Sequence, residues 1–268
     1  MRMLVVLALA VGGALLGSCN LVQPRTLTAC ADPNNLPFSN KAGEGFENKL
    51  SELIAGDLHA KLAYVWWAQR RGYVRNTLNE KKCDFWPGVA TNVEMLATTR
   101  PYYRSTYVFV SRVDEKIGGL TLDDPRLKHL KIGVELVGDD ASNTPPAHAL
   151  ADRGIVDNVR GYMLYGDYSK PNPPAAIVEA VERGDVDVAL VWGPLAGYFA
   201  AKSKVPLRLE VVTPWMADMQ WPMQFDISVG VQKNDQKLLK QIDRVLAHRS
   251  GDIRKLLDTY HVPVVATP

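Results

Sequence analysis

The sequence predicts an exported, two-lobed α/β protein with mainly parallel sheets. Three observations carry that expectation. The chain begins with a short basic and apolar leader, strand and helix patterns then alternate and restart midway, and a last strand and two helices follow the second pattern.

The leader starts with Met1-Arg2-Met3 and continues as an apolar run from Leu4 to Leu16, broken only by Gly12 and Gly13. A permanent membrane helix needs about 20 apolar residues, so residues 1–19 read as a secretory signal to be set apart from the fold. The run ends in Leu16-Gly17-Ser18-Cys19, which resembles the lipobox of bacterial lipoproteins, with Cys19 as the lipidated new N-terminus. Ordinary cleavage after a nearby small residue, with Cys19 discarded, is the alternative. Both place the mature chain in the periplasm, touching the membrane only through an N-terminal lipid if at all.

The composition, 47% hydrophobic and 22% charged, is that of a globular chain. Formal net charge is +2, and no basic run exceeds Arg70-Arg71 or Lys81-Lys82, so a nucleic-acid partner is not expected. Beyond Cys19, the cysteines are Cys30 and Cys83, an even pair that invites a disulfide in an oxidising compartment. Cys30 falls late in one strand and Cys83 at the start of another. Neighbouring parallel strands could hold them farther apart than the roughly 5.5 Å between Cα atoms that a bridge needs, so spacing leaves the pairing open. Neither has metal-ligand spacing, and no metal or cofactor site is read.

The first strand is Arg25 to Ala31, followed by turn chemistry through Asp32-Pro-Asn-Asn-Leu-Pro37. Phe46, Leu50, Leu53, Ile54 and Leu58 recur at helical spacing. A strand from Lys61 to Trp67, a helix from Gly72 to Asn79 and a strand from Asp84 to Val89 come next. Tyr107 to Arg112 is strongly β-prone. The second pattern runs as a strand from Leu130, a helix from Thr144, a strand from Gly161, a helix from Pro174 to Arg183 and a buried strand from Val186 to Trp192. Asp226 to Val231 is the returning strand, with helices over Gln236 to Arg249 and Gly251 to Tyr260. Lys82-Cys-Asp84 and Gly184-Asp-Val-Asp187 stand alike before strands, a single echo between the halves.

Several segments together resemble one family. They are Cys30 to Asn40, Gly43-Glu-Gly-Phe-Glu-Asn48, Trp66 to Gly72, Thr99 to Val110, Asp187 to Tyr198 and Asp226 to Val231. The family is the solute-binding-like component associated with quinoprotein alcohol dehydrogenases, the MxaJ/XoxJ family of methylotrophic bacteria. The resemblance implies a type II periplasmic-binding fold with a two-strand hinge near Val108 to Val113 and Phe225 to Val229. Lobe one would comprise residues 25–110 and 225–268, and lobe two residues 111–224. It also implies a protein that assists a pyrroloquinoline quinone (PQQ)-dependent methanol or alcohol dehydrogenase, with a cytochrome c as a further partner.

Ligands of open α/β sheets bind beyond the carboxyl ends of the strands. There the sequence places Phe38, Trp67, Arg70 and Thr91, with Asn143, Trp192 and Tyr198 from the second half, as candidate ligand- or partner-binding residues. Tyr103 and Arg104, entering the β-prone strand, complete the set. An arginine fork suits anions, although structural ion pairing is its commoner use. Amino-acid-binding relatives carry Thr-Pro-Glu-Arg after the third strand; this chain has Thr91-Asn-Val-Glu94 and lacks that clamp. The lobe-two aspartate for the amino group is replaced around Trp192-Gly193, so no α-amino acid is expected. The histidines and paired aspartates form no catalytic spacing, and a binding role is expected, with a receptor for a small non-amino-acid solute as the alternative to the dehydrogenase-linked one.

Overall fold

The computed structural model describes residues 25–137, 143–165, 167–218 and 220–266. The leader, Cys19 and residues 138–142 lie outside them. In chain order the first elements are β1 (Thr26–Ala31), the short β2 (Asn34–Asn35) and β3 (Ser39–Asn40), α1 (Phe46–Asp57), β4 (Lys61–Trp66), α2 (Tyr73–Asn76), β5 (Phe85–Ala90), β6 (Ala97–Thr98) and β7 (Tyr103–Arg112). There follow β8 (Ile132–Leu136), α3 (Pro145–Asp152), β9 (Val159–Met163), α4 (Ala176–Arg183), β10 (Val188–Trp192) and α5 (Gly193–Ala200). The last are β11 (Leu207–Val211), β12 (Met216–Ala217), β13 (Trp221–Pro222), β14 (Gln224–Val231), α6 (Gln236–His248) and α7 (Ser250–Thr259).

Two parallel runs, β4-β1-β5 and β10-β8-β9, are joined by the antiparallel strands β14 and β7. β7 pairs with β14 from Tyr103 to Thr106, then with β10 and β11 from Tyr107 to Arg112. This exchange of partners falls just before Val108, earlier than the hydropathy of the strand suggests. The apolar stripe was the visible signal, whereas the crossover lies at its polar start, Ser105-Thr106.

On one face of the first sheet, α1, α6 and α7 bury Phe46, Leu50, Ile54, Leu238, Ile242 and Leu257 against Leu27, Phe85 and Val229. α6 is helical because Leu238, Ile242, Val245 and Leu246 make one apolar stripe and Asp235 accepts from the Leu238 N–H at 2.9 Å. The closing helices thus pack on the sheet begun by β1. The other face carries Tyr73, Val74, Leu78 and the bonded pair Cys30–Cys83, whose Cα atoms are 5.5 Å apart. Cys83 precedes β5, where the chain arrives over the sheet face, so strand register does not limit its reach. The second sheet is covered on its two faces by separate clusters, one around Phe109, Ile132 and Leu190 and one around Val110, Ile177 and Val191.

The echo between the halves has a common physical job. Asp84 Oδ2 accepts from the Thr28 N–H at 2.7 Å, and Asp187 Oδ2 accepts from the Lys131 N–H at 2.7 Å. In return each aspartate's own N–H donates to that residue's carbonyl at 2.8 Å. An aspartate before a parallel strand therefore satisfies a backbone donor of its neighbour in both sheets.

Two departures from the sequence reading have local causes. The helix expected from Gly72 to Asn79 is one turn, Tyr73–Asn76, and the chain leaves it through Thr77. Gly193-Pro-Leu-Ala-Gly197, to which the sequence reading assigns no element, begins α5, since proline is tolerated in a first helical turn. Its glycines allow close approach. A Cβ on Gly193 would stand 2.5 Å from the Thr106 carbonyl oxygen, and one on Gly197 would stand 1.9 Å from the His261 carbonyl oxygen. Gly197→Ala, which would add about 0.5–1 kcal/mol in an exposed helix, is expected instead to cost about 1–3 kcal/mol through overpacking. Urea unfolding reads this directly; a midpoint at or above the parent's would show that the tail can move aside.

Candidate functional site

The carboxyl ends of β1, β5, β8 and β10 converge on a cavity of about 370 Å³, within the usual range for small-ligand sites. Its wall is aromatic. Trp192 lies between Tyr107 and Phe225, with centroid separations of 5.2 Å and 5.9 Å and T-shaped geometry. Phe38, Tyr103 and Trp86 line the remainder.

Two glutamates enter this apolar space. Glu47 belongs to the first turn of α1 and is 3% exposed. The free amides of that turn are already used: Phe46 N–H donates to the Pro37 carbonyl and Glu47 N–H to the Phe38 carbonyl, at 2.8 Å and 2.9 Å. Asn48 Oδ1 accepts from Gly45 N–H at 3.1 Å and from Asn40 N–H at 3.0 Å. The Phe46 and Glu47 amides are therefore taken, and the turn holds the Glu47 side chain over Gly88. A Cβ on Gly88 would fall 1.8 Å from Glu47 Oε1, so only glycine leaves room for the carboxyl there. Glu47 Oε2 is buried with no hydrogen-bond partner among the described residues, and the same holds for Trp86 Nε1. Burial, with repulsion from Asp32, pushes the Glu47 carboxyl up to about 8.

Glu135 stands near the end of β8 and is 2% exposed. Its Oε2 accepts from the Trp192 N–H at 2.9 Å, which fixes the start of α5. Burial pushes this carboxyl up to about 7, against the pull of that amide. Tyr103 and Tyr107 are raised as well, by burial first and by Glu47 and Glu135 respectively.

Contacts cross the mouth from the segment after β9. The Tyr168 hydroxyl donates to Asp32 Oδ2, which also accepts from the Gln69 N–H at 2.7 Å. Asn34 Nδ2 donates to the Lys170 carbonyl at 3.0 Å, and the Arg70 guanidinium lies 4.9 Å from the centre of the Tyr168 ring. Leu164 and Tyr165 of the same segment form part of the cavity wall.

Of the residues singled out from sequence, Phe38, Arg70, Tyr103 and Trp192 line the cavity. The others lie elsewhere. Trp67 is 41% exposed beside Lys82, whose ammonium is 5.4 Å from the indole centre. Thr91 is tied to β14, its hydroxyl 3.1 Å from the Asp226 carbonyl and 2.6 Å from Ser228 Oγ. Arg104 is bidentate to Asp226, its register partner across β7 and β14, at 2.8 Å and 2.9 Å. It serves the strand pair and is no anion receptor. Asn143 Oδ1 accepts from the Val137 N–H at 3.2 Å, closing the entry to α3. Tyr198 is buried, stacked on Tyr260 at 5.7 Å, and accepts from Lys202 Nζ at 2.6 Å. Among the described residues no group of three or more His, Cys, Asp or Glu side chains could hold a metal ion, and no helix is long and apolar enough to cross a membrane.

No protein-family model matches the chain. Protein MoxJ of Methylorubrum extorquens is 31% identical over 258 residues, which cover 90% of this chain and 82% of that protein. The chain belongs to the MoxJ family. Similar solved structures agree with this MoxJ assignment. The periplasmic binding protein XoxJ from Methylobacterium extorquens AM1 is 35% identical with a TM-score of 0.73, over 90% of this chain and all of that one. MxaJ from Methylophaga aminisulfidivorans MPT is 26% identical with a TM-score of 0.75, over 89% of this chain and all of that one. The type II periplasmic-binding architecture expected of a MoxJ-like chain is therefore the architecture present.

The sequence reading missed Glu47, Trp86, Tyr107 and Glu135. Glu135 had a legible signal, a carboxylate within Ile132-Gly-Val-Glu-Leu136, a strand otherwise apolar enough to be buried. Glu47 had none, because an acidic residue in a first helical turn is ordinary.

Proposed function

We propose that this MoxJ-family chain is a periplasmic accessory binding protein that assists a PQQ-dependent methanol or alcohol dehydrogenase in its activation, assembly or maturation, with a cytochrome c as a further partner. Family membership over 90% of the chain is the observation that carries the reading. The leader supports export, with Cys19 as the candidate lipid anchor. We take residues 25–110 with 225–268 as one lobe and 111–224 as the other, so that β7 and β14 are the strands about which they move. The reading is of binding and not of catalysis.

The partner-facing residues in this proposal are Trp67, just beyond β4, and Arg70, at the cavity. Trp67 is exposed, Arg70 borders the cavity mouth, and both are types enriched in interface hot spots. Tyr103, Arg104 and Tyr198 are internally engaged and do not serve as docking residues. The experiment measures association of the mature protein with the dehydrogenase of the same cell, in metal-free and metal-loaded forms. Trp67→Ala and Arg70→Ala are each expected to weaken binding at least about tenfold. No association in either form, or two folded variants that bind like the parent, would leave the solute-receptor reading, which the cavity at Glu47 favours.

A further inference from the structure

We infer that the cavity is a binding site for a small organic ammonium ion that also carries no carboxylate, held by Glu47 and Glu135 within aromatic walls. The site is independent of the dehydrogenase proposal and would exist with or without a protein partner.

The first ground is an unmet requirement. Glu47 is buried, faces the cavity and leaves Oε2 without a donor, although buried polar groups are paired in the great majority of cases. A carboxyl oxygen in that position is completed by an N–H from a ligand. Gly88 has no side chain to crowd the carboxyl, and the Phe46 and Glu47 amides are already spent on Pro37 and Phe38. The second ground is the wall. Tyr103, Tyr107, Trp86 and Trp192 line the same cavity as the two carboxyls, and aromatic faces attract cations most strongly where water is excluded. The third is the missing clamp. Arg70 is the arginine bordering the cavity, and its guanidinium is turned to the Tyr168 ring at the mouth. An α-carboxylate would share the cavity with Glu47 and Glu135, while Arg70, engaged with Tyr168, is the arginine that lines it among the described residues. The unpartnered Trp86 Nε1–H would be met by an acceptor oxygen, so a hydroxyl on the ligand should add affinity.

Binding should depend on pH. The charged and titratable groups facing Glu47 are Asp32 beyond β1, Tyr73 on α2, and Tyr102 and Tyr103 at the start of β7. Tyr107 faces Glu135, and Arg70 is part of the cavity lining. The tyrosines stay neutral because burial raises them further. The two carboxyls therefore govern the change. A cation binds their ionised forms, so affinity should rise with pH until about 8, by up to about tenfold per unit for each carboxyl that loses its proton.

The test is calorimetry of the mature protein with three four-carbon probes of different head group: butylamine, butanol and butyrate. Ethanolamine, putrescine and choline extend the cation set. Butylamine is expected to bind at least about tenfold more tightly than butanol, with butyrate weakest, and more tightly at pH 8.5 than at pH 6. Glu47→Gln should remove most of this preference, and Glu135→Gln provides the same reading if the first variant fails to fold. Equal binding of butylamine and butanol, stronger binding of butyrate, or no binding of any of the four cations at millimolar concentration would overturn the inference.

Discussion

Glu47→Gln is expected to make the ligand-free protein more stable at pH 8, by about 3–4 kcal/mol more than at pH 5. The sign follows from proton binding. An unfolded Glu titrates near 4.5, whereas folding lifts Glu47 to about 8. Between those values the folded state holds the proton and the unfolded state has released it. Stability is therefore full below 4.5 and is lost as pH rises towards 8, at up to about 1.4 kcal/mol per unit. Glu135, lifted to about 7, adds a second loss of about 2–3 kcal/mol over the same range. These are upper values, because water entry and relaxation soften burial. Glutamine keeps the shape and cannot ionise, so the slope from position 47 disappears. Urea unfolding of parent and variant at pH 5, 6, 7 and 8 isolates the effect as a difference. A constant difference across that range would mean that Glu47 titrates as a solvated carboxyl. A bound ammonium ion should likewise flatten the parent's slope, which ties this measurement to the ligand assignment without using affinity.

The fold was open to sequence reading because it rests on local periodicity. Phe46, Leu50 and Ile54 announce α1 by spacing alone, and they are buried as that spacing requires. Asp84 and Asp187 announce the shared plan of the halves through one short echo, which proves to be the same pair of hydrogen bonds. β11 could have been found from its alternation, Leu-Arg-Leu-Glu-Val, and α5 from the tolerance of proline in a first turn. The site was less legible because its chemistry is made by distant groups. Glu47 acquires its character from Asp32, Gly88 and the aromatic wall, none adjacent in sequence. Arg104 could read as an anion receptor or as half of a structural ion pair, and β14, by bringing Asp226 opposite it, decides for the pair. Residue type at a strand end thus located the cleft through Phe38, Arg70 and Trp192, but could not say which charges were free within it.

Removing the Cys30–Cys83 bond is expected to cost about 4 kcal/mol, comparable to the pH effect and opposite in sign to the gain from Glu47→Gln. The bond closes a loop with a sequence separation of 53 that contains α1, β4 and α2. In the chain-entropy account a loop of that length restricts the unfolded ensemble by that amount, and both cysteines are buried, so their loss also opens the packing around Tyr73 and Leu78. The consequence should not be uniform. The α2 helix is one turn long and has little to hold it besides this cluster, yet the chain leading into it carries Gln69, Arg70 and Tyr73 to the cavity. The double variant Cys30→Ala/Cys83→Ala should therefore lose amide protection first between residues 67 and 84, while α6 and α7, packed on the opposite face, retain theirs. Urea unfolding gives the overall cost, and hydrogen exchange gives its place. A loss spread evenly over both faces of the first sheet would mean that the bridge secures the whole lobe, and a cost under about 1 kcal/mol would mean that the unfolded chain is already restricted without it.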